Sequence, residues 1–214
     1  MKSILIIGLG RFGLHLAEKF NEHGNDVMAI DISEERVNAV LPFVTDGQIG
    51  DATNEAFVES LGVNNYDLCV VAIGDNFQSS QEATALLKDL GARFVLSRAS
   101  RDVHAKFLLR NGADEVVYTE KETAERLAVK YGNDNIFDYV EIDPNFSIYE
   151  IATPPSWVGK TILQKSVRTK YNISILATRS DGQIYPLPNP DHVFSANESL
   201  MVLGRNADVE RLIK

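Results

Sequence analysis

The chain has 214 residues, 44% of them hydrophobic and 24% charged, which excludes a disordered or low-complexity polymer. Its 21 Lys and Arg against 30 Asp and Glu give a net charge of −9, and that balance argues against general binding to nucleic acid or anionic lipid. One cysteine rules out an intramolecular disulfide and a Cys-rich zinc site.

No apolar run approaches the roughly 20 residues that span a bilayer, and the run at 3–7 is too short for a signal peptide, so a cytoplasmic protein is expected. Taken in chain order, short β-branched runs predict strands at 3–7, 26–30, 48–49, 68–73, 93–97 and 115–119. They are apolar nearly throughout rather than alternating, the pattern of strands buried on both faces. Amphipathic stretches at 12–23, 34–40, 55–61, 77–90 and 102–111 lie between them, and Gly24, Gly62, Gly91 and Gly112 stand where four of these helices end. The alternation implies an α/β fold, a doubly wound parallel sheet of the Rossmann type, over residues 1–135 including a sixth helix at 122–131. Prolines then concentrate between 144 and 190. Strands at 147–152, 173–178, 183–185 and 199–203, a helix at 162–170 and a terminal helix at 207–213 predict a second, smaller α+β domain over 136–214. The Asp181-Gly182 pair is expected to turn a hairpin.

Gly8-Leu9-Gly10-Arg11-Phe12-Gly13 follows the first strand and opens the first helix. Gly8 suits the tight turn, Gly10 the approach of a pyrophosphate, and Gly13 close packing of helix on strand. Asp31 ends the second strand at about the 20-residue separation where an acid accepts from ribose hydroxyls, and its charge disfavours a 2′-phosphate. The bland alternative is a glycine turn beside a capping Asp that bind nothing. Arg11 lies inside the phosphate turn, where backbone amides alone suffice, so it suits exposed terminal phosphates or a neighbouring subunit's ligand; otherwise it is a solvated arginine at a helix start. Gly50-Asp51-Ala52-Thr53, Ile73-Gly74-Asp75-Asn76 and Ser97-Arg98-Ala99 sit at later strand ends that line one crevice in such a sheet. Asp51 could take an adenine amino group and Arg98 a phosphate, while Asp51 and Asp75 could equally cap the helices that follow. Glu120 could coordinate a cation or face water. Cys69 reads as a core thiol, Trp157 as a core anchor, and His15, His23, His104 and His192 show no metal-ligand spacing.

Together these residues resemble the RCK (regulator of K⁺ conductance) regulatory subunits of bacterial Ktr and Trk potassium-uptake systems, most nearly the Ktr type. The likeness runs through the glycine turn, Asp31, Gly50-Asp51-Ala52-Thr53, Ala72-Ile73-Gly74, Gly112-Ala113-Asp114 and Thr119-Glu120-Lys121. It continues through Gly159-Lys160-Thr161-Ile162, Val167-Arg168 and the segment 197–204. It implies a regulatory subunit without catalytic residues that binds ATP, ADP or NAD(H) and gates a membrane-embedded potassium channel subunit. It further implies a homodimer and an octameric ring at the inner face of the cell membrane. Carried over by position, Arg11 meets a terminal phosphate, Asp31 the ribose, Asp51 the adenine, Arg98 the phosphates, and Glu120 a cation (Mg²⁺, Ca²⁺ or Na⁺) at the subunit interface. Phe12, Ala52, Thr53, Ile73, Gly74 and Asn76 fall in the same segments. The family often carries Lys where Arg98 stands. Related small lobes bind cyclic di-AMP across a two-fold, and the matching positions are Ile162, Leu163, Arg168, Thr169 and Asn172; the alternative is that the apolar pair is core and that Arg168 and Lys170 favour a helix C-terminus.

The rival class is a small NAD-dependent oxidoreductase, which needs a proton donor or acceptor facing the nicotinamide. The second domain offers no obvious set. A redox-sensing repressor would need a basic DNA-binding module, which the −9 charge disfavours.

Overall fold

A computed structural model describes residues 1–213. They fall into two compact units, Met1–Glu120 and the chain from Lys121 onward. The division lies in the first turn of the sixth helix rather than at the expected 135/136, because Val129 of that helix packs into the core of the second unit.

In the first unit, strands β1 (Ser3–Ile7), β2 (Asp26–Asp31), β3 (Asp46–Ile49), β4 (Leu68–Val71), β5 (Val95–Arg98) and β6 (Glu115–Val117) pair in parallel. Their order is β3-β2-β1-β4-β5-β6, that of a dinucleotide-binding sheet. Helices α1 (Arg11–Glu22), α2 (Glu34–Val40), α3 (Glu55–Ser60), α4 (Phe77–Asp89) and α5 (Asp102–Arg110) connect the strands, and α6 (Thr119–Tyr131) follows β6. Side chains alternate across a strand, so Leu5 and Ile7 of β1 enter one core with Val71 and Val95, while Ile4 and Ile6 enter another with Val27 and Val70. Both faces of the sheet are therefore covered, which accounts for the unbroken apolar runs. The four glycines expected at helix ends all have positive φ. Helices α3 and α4 are capped by Asn54 and Asn76, which accept from the backbone N–H of Phe57 and Ser79. Asp51 and Asp75 do not serve as those caps; each lies too early in its turn to be the residue at which the helix begins.

The second unit is an antiparallel sheet in the order β10-β9-β11-β8-β7. Its strands are β7 (Ile136–Glu141), β8 (Phe146–Ala152), β9 (Ile173–Ser180), β10 (Gln183–Pro186) and β11 (Glu198–Arg205). Trp157 and Phe194 are enclosed against Ile151, Leu200 and Val202, so Trp157 is the core anchor expected. Asp181 and Gly182 both have positive φ at the β9–β10 turn, the geometry a two-residue hairpin needs. The helix expected at 162–170 is broken. Ser166 adopts φ 50°, splitting the stretch into α7 (Ile162–Lys165) and α8 (Val167–Tyr171). Strand β7 is an addition to the sequence reading, and α9 (Asn206–Ile213) closes the lobe. Among the described residues no helix is long and apolar enough to cross a membrane.

Candidate functional site

A cleft of about 1000 Å³ opens at the C-terminal ends of the parallel strands. Gly8, Gly10, Arg11, Phe12, Asp31, Asp51, Ala52, Thr53, Ile73, Gly74, Asn76, Arg98 and Glu120 all line it. Of the candidate residues in this unit Gly13 alone stands outside, and its role is packing: a Cβ there would collide with the Gly8 carbonyl oxygen. Gly8 has φ +93°, and its N–H donates to Ile30 O at 2.8 Å, which ties the turn from β1 into α1 to the neighbouring strand β2. Gly10 caps α1 with no side-chain bond, and a Cβ there would meet nothing within 4 Å. The first turn of α1 holds no acidic residue, so its free N–H groups and positive helix end face the cleft unopposed.

Asp31 is nearly enclosed, at 5% exposure. Its Oδ2 accepts from Leu9 N–H at 2.7 Å and its Oδ1 from Ser33 N–H at 2.9 Å, so the acid is fastened to the phosphate turn itself. Arg36 Nη1 lies 3.5 Å from Oδ2. Oδ1, with Ser33 as its single donor, keeps a lone pair with which to accept a ribose hydroxyl. Asp51 forms an Asx turn, with Oδ1 accepting from Thr53 N–H at 2.9 Å and from the Thr53 hydroxyl at 2.8 Å. The Thr53 amide first, and then its hydroxyl, hold the Asp51 carboxyl below its ordinary pKa. It therefore stays ionised and can accept from an exocyclic amine.

Across the cleft, the Arg98 guanidinium lies over the Phe12 ring at 5.7 Å and donates from Nη2 to Glu120 Oε1 at 2.6 Å. A Cβ on Gly74 would collide with this guanidinium, so glycine there admits the arginine to the cleft. The other oxygen of Glu120 accepts from the Thr119 hydroxyl at 2.9 Å. Its own backbone N–H, then Thr119, then Arg98 lower the pKa of Glu120. Among the described residues no three His, Cys, Asp or Glu cluster as metal ligands. Arg11 forms no hydrogen bond or ion pair among the described residues. It is an exposed, uncommitted cation at the first position of α1.

His15, Ile32, Arg36 and Ser79 also line the cleft and were not singled out from the sequence. Each reaches it from a turn or helix near a motif, and only their nearness to Arg11, Asp31 and Asn76 could have marked them. Cys69 is enclosed, and burial pushes its thiol up to about 12, as befits a core residue. In the second unit, Ile162 packs against the core and Leu163 is 65% exposed. Arg168 is exposed, Thr169 donates to Ser166 O, and Asn172 takes φ 55° to end α8.

A doubly wound sheet with a phosphate turn, a ribose acid and a facing Arg–Glu pair, followed by a small antiparallel lobe, defines an RCK-type nucleotide-binding subunit. Residues 4–119 match the TrkA-N domain and residues 146–214 the TrkA-C domain. The chain belongs to the RCK family of regulatory subunits of Ktr and Trk potassium-uptake systems. It is 36% identical to Ktr system potassium uptake protein C of Bacillus subtilis over 213 residues, covering 100% of this chain and 96% of that protein. It is 34% identical to protein A of the same system and organism over 210 residues, covering 98% and 95%. Among solved structures the GsuK RCK domain matches 99% of the chain with a TM-score of 0.68 at 17% identity, this chain spanning 47% of that one. A GsuK channel bound to NAD matches all of it at 0.71 and 18%, spanning 39%. The C-terminal domain of Kef from Shewanella denitrificans, in an AMP-bound form, matches 60% of the chain and 78% of its own at 0.51 and 24%.

Proposed function

We propose that this protein is the nucleotide-sensing subunit that gates a membrane potassium channel or transporter from the cytoplasmic side. One observation carries the reading: residues from six separate sequence segments, chosen for phosphate, ribose and adenine chemistry, line one cleft at the strand ends. Adenine nucleotides fit that chemistry. The adenine amine would meet Asp51, the ribose Asp31, the pyrophosphate the α1 N-terminus, and the outer phosphates Arg11 and Arg98. Two relatives similar over nearly the whole chain are named as potassium uptake proteins, and similar folds are described bound to NAD and AMP, which supports the same ligand class here.

In this reading the chain binds nucleotide without turning it over. It assembles as homodimers in an octameric ring, docks on a channel subunit at the inner membrane face, and interacts with no nucleic acid. An outer phosphate arriving at Arg98 competes with Glu120, and the released carboxylate becomes available to Mg²⁺, Ca²⁺ or Na⁺ at a subunit interface. Cyclic di-AMP is the proposed ligand of the small lobe, through Ile162, Leu163, Arg168, Thr169 and Asn172. Calorimetry of the full chain with ATP, ADP, NADH and cyclic di-AMP tests both sites, and native mass spectrometry reads the ring. Heat from none of the adenine nucleotides would refute the cleft assignment. No heat from cyclic di-AMP would leave the lobe a dimerisation module.

A further inference from the structure

We propose that Ile32 and Arg36 are the base platform of the cleft, packing an aliphatic side chain and a guanidinium plane on the rings of a bound purine and so selecting it over a pyrimidine. The inference rests on the nucleotide reading above and deepens it by naming the residues that choose the base. Strand order sets the direction in which the ligand runs. With its phosphates at α1, beside β1, and its ribose at Asp31 of β2, a nucleotide carries its base outward, toward β3. There the Gly50 N–H donates to Asp31 O at 3.1 Å, which continues the β2–β3 ladder beyond the Asp31–Ile49 pair. Ile32 and Asp51 are the residues that follow these two partners. The isoleucine therefore stands at the same end of the ladder as the acid that suits an adenine amine, and both line the cleft with Arg36.

The fold makes little use of either side chain. Ile32 precedes the Ser33 cap of α2, a position from which an apolar residue commonly packs on the fourth helical residue. That residue, Val37, is enclosed, yet Ile32 is 73% exposed. The Arg36 side chain is 57% exposed, with Nη1 at 3.5 Å from Asp31 Oδ2. Asp31 already accepts from Leu9 N–H and Ser33 N–H, so the acid has partners without the arginine. A half-exposed ion pair at that distance contributes little stability. What the contact does is hold the guanidinium at the ribose acid, beside the path the base must take. A planar, weakly hydrated guanidinium stacks on the face of a nucleobase, which the point charge of a lysine does not do. A purine offers the larger face.

The test is calorimetric titration of the full chain with ATP, ADP, AMP, CTP and 2′,3′-dideoxy-ATP, for the wild type, Arg36→Ala, Arg36→Lys and Ile32→Ser. Arg36→Ala should lose about fivefold in affinity, by one factor for ATP, ADP and AMP, because the base is common to all three. The dideoxy ligand, which has no hydroxyl for Asp31, should show the same loss. CTP, which keeps an exocyclic amine on a smaller ring, should lose less. Arg36→Lys should resemble Arg36→Ala. Ile32→Ser should lose about threefold, with a melting temperature within a degree or two of the wild type. A loss that grows with phosphate number, disappears with the dideoxy ligand or is restored by lysine puts Arg36 on the phosphates or the ribose and overturns the inference. Unchanged affinity for ATP in Arg36→Ala or in Ile32→Ser also overturns it, and all of these results leave the nucleotide reading standing. Failure of the wild type to bind any adenine nucleotide overturns both.

Discussion

The glycines of the first turn have three separate physical duties, which substitutions can separate. A Cβ at Gly10 meets open space, so Gly10→Val leaves packing intact while filling the volume a pyrophosphate would take. We expect loss of nucleotide affinity by calorimetry, with a melting temperature within a degree or two of the wild type. Gly13→Ala should do the reverse and destabilise the fold by about 2 kcal/mol or more, because its methyl would strike the Gly8 carbonyl. Thermal melts without ligand distinguish the two, and equal destabilisation would refute the assignment of roles. Asp31 calls for a different design. Its carboxylate holds Leu9 N–H as well as facing the cleft, so Asp31→Ala unhooks the phosphate turn and overstates any ribose contact. Asp31→Asn keeps an acceptor for that amide and is the cleaner probe.

At the scale of elements, Asp114 joins three pieces of the first unit. Its Oδ2 accepts from Val95 N–H of β5 at 2.7 Å, while Lys88 of α4 pairs with it at 2.9 Å. Partial burial works against the charged form, but the Lys88 and Val95 hydrogen bonds outweigh it and leave the Asp114 carboxyl below its ordinary pKa. The stabilisation is therefore present above the unfolded-state pKa, near 4, and is lost as pH falls through the depressed folded value. Asp114→Asn should cost about 1 kcal/mol in urea melts at pH 7, and this gap to the wild type should close as pH falls through the depressed carboxyl pKa of the folded state.

Other features of the elements differ in how far the sequence shows them. The βα alternation, the phosphate turn and the Asp181-Gly182 hairpin are legible because each is a local demand on backbone or side-chain period. Strand β7 is not, since Ile136 and Tyr139 are its only enclosed residues and they do not alternate; a register shift between Ile136 and Asp138 interrupts the period. The break at Ser166 is equally silent, with neither Gly nor Pro to mark a left-handed residue. Within the cleft, the motif residues announced themselves, whereas Arg36 and His15 reach it only because helices α1 and α2 begin at its rim.

For the assembled molecule, moving a two-state ring from 1:99 to 99:1 takes about 5.5 kcal/mol of differential binding. Spread over eight proposed sites this is about 0.7 kcal/mol each, within reach of one added charge-assisted contact. Arg11, which has no partner among the described residues, is the group best placed to supply it. Arg11→Ala should bind ATP and ADP with nearly equal affinity and abolish any ATP-dependent change in potassium flux in proteoliposomes holding the channel partner. Retained discrimination would count against this mechanism. The strand order has a further effect, on biosynthesis. β1 is made before both of its neighbours, yet it lies in the sheet's interior between β2 and β4, and β4 begins only at Leu68. Until that segment emerges, the buried row Ile4–Ile7 has one open edge, competent to pair with another nascent chain. Recovery of soluble protein after dilution from urea should therefore fall steeply with chain concentration, and a Lys at Ile6 should not rescue it, because the same side chain must later enter a sealed core.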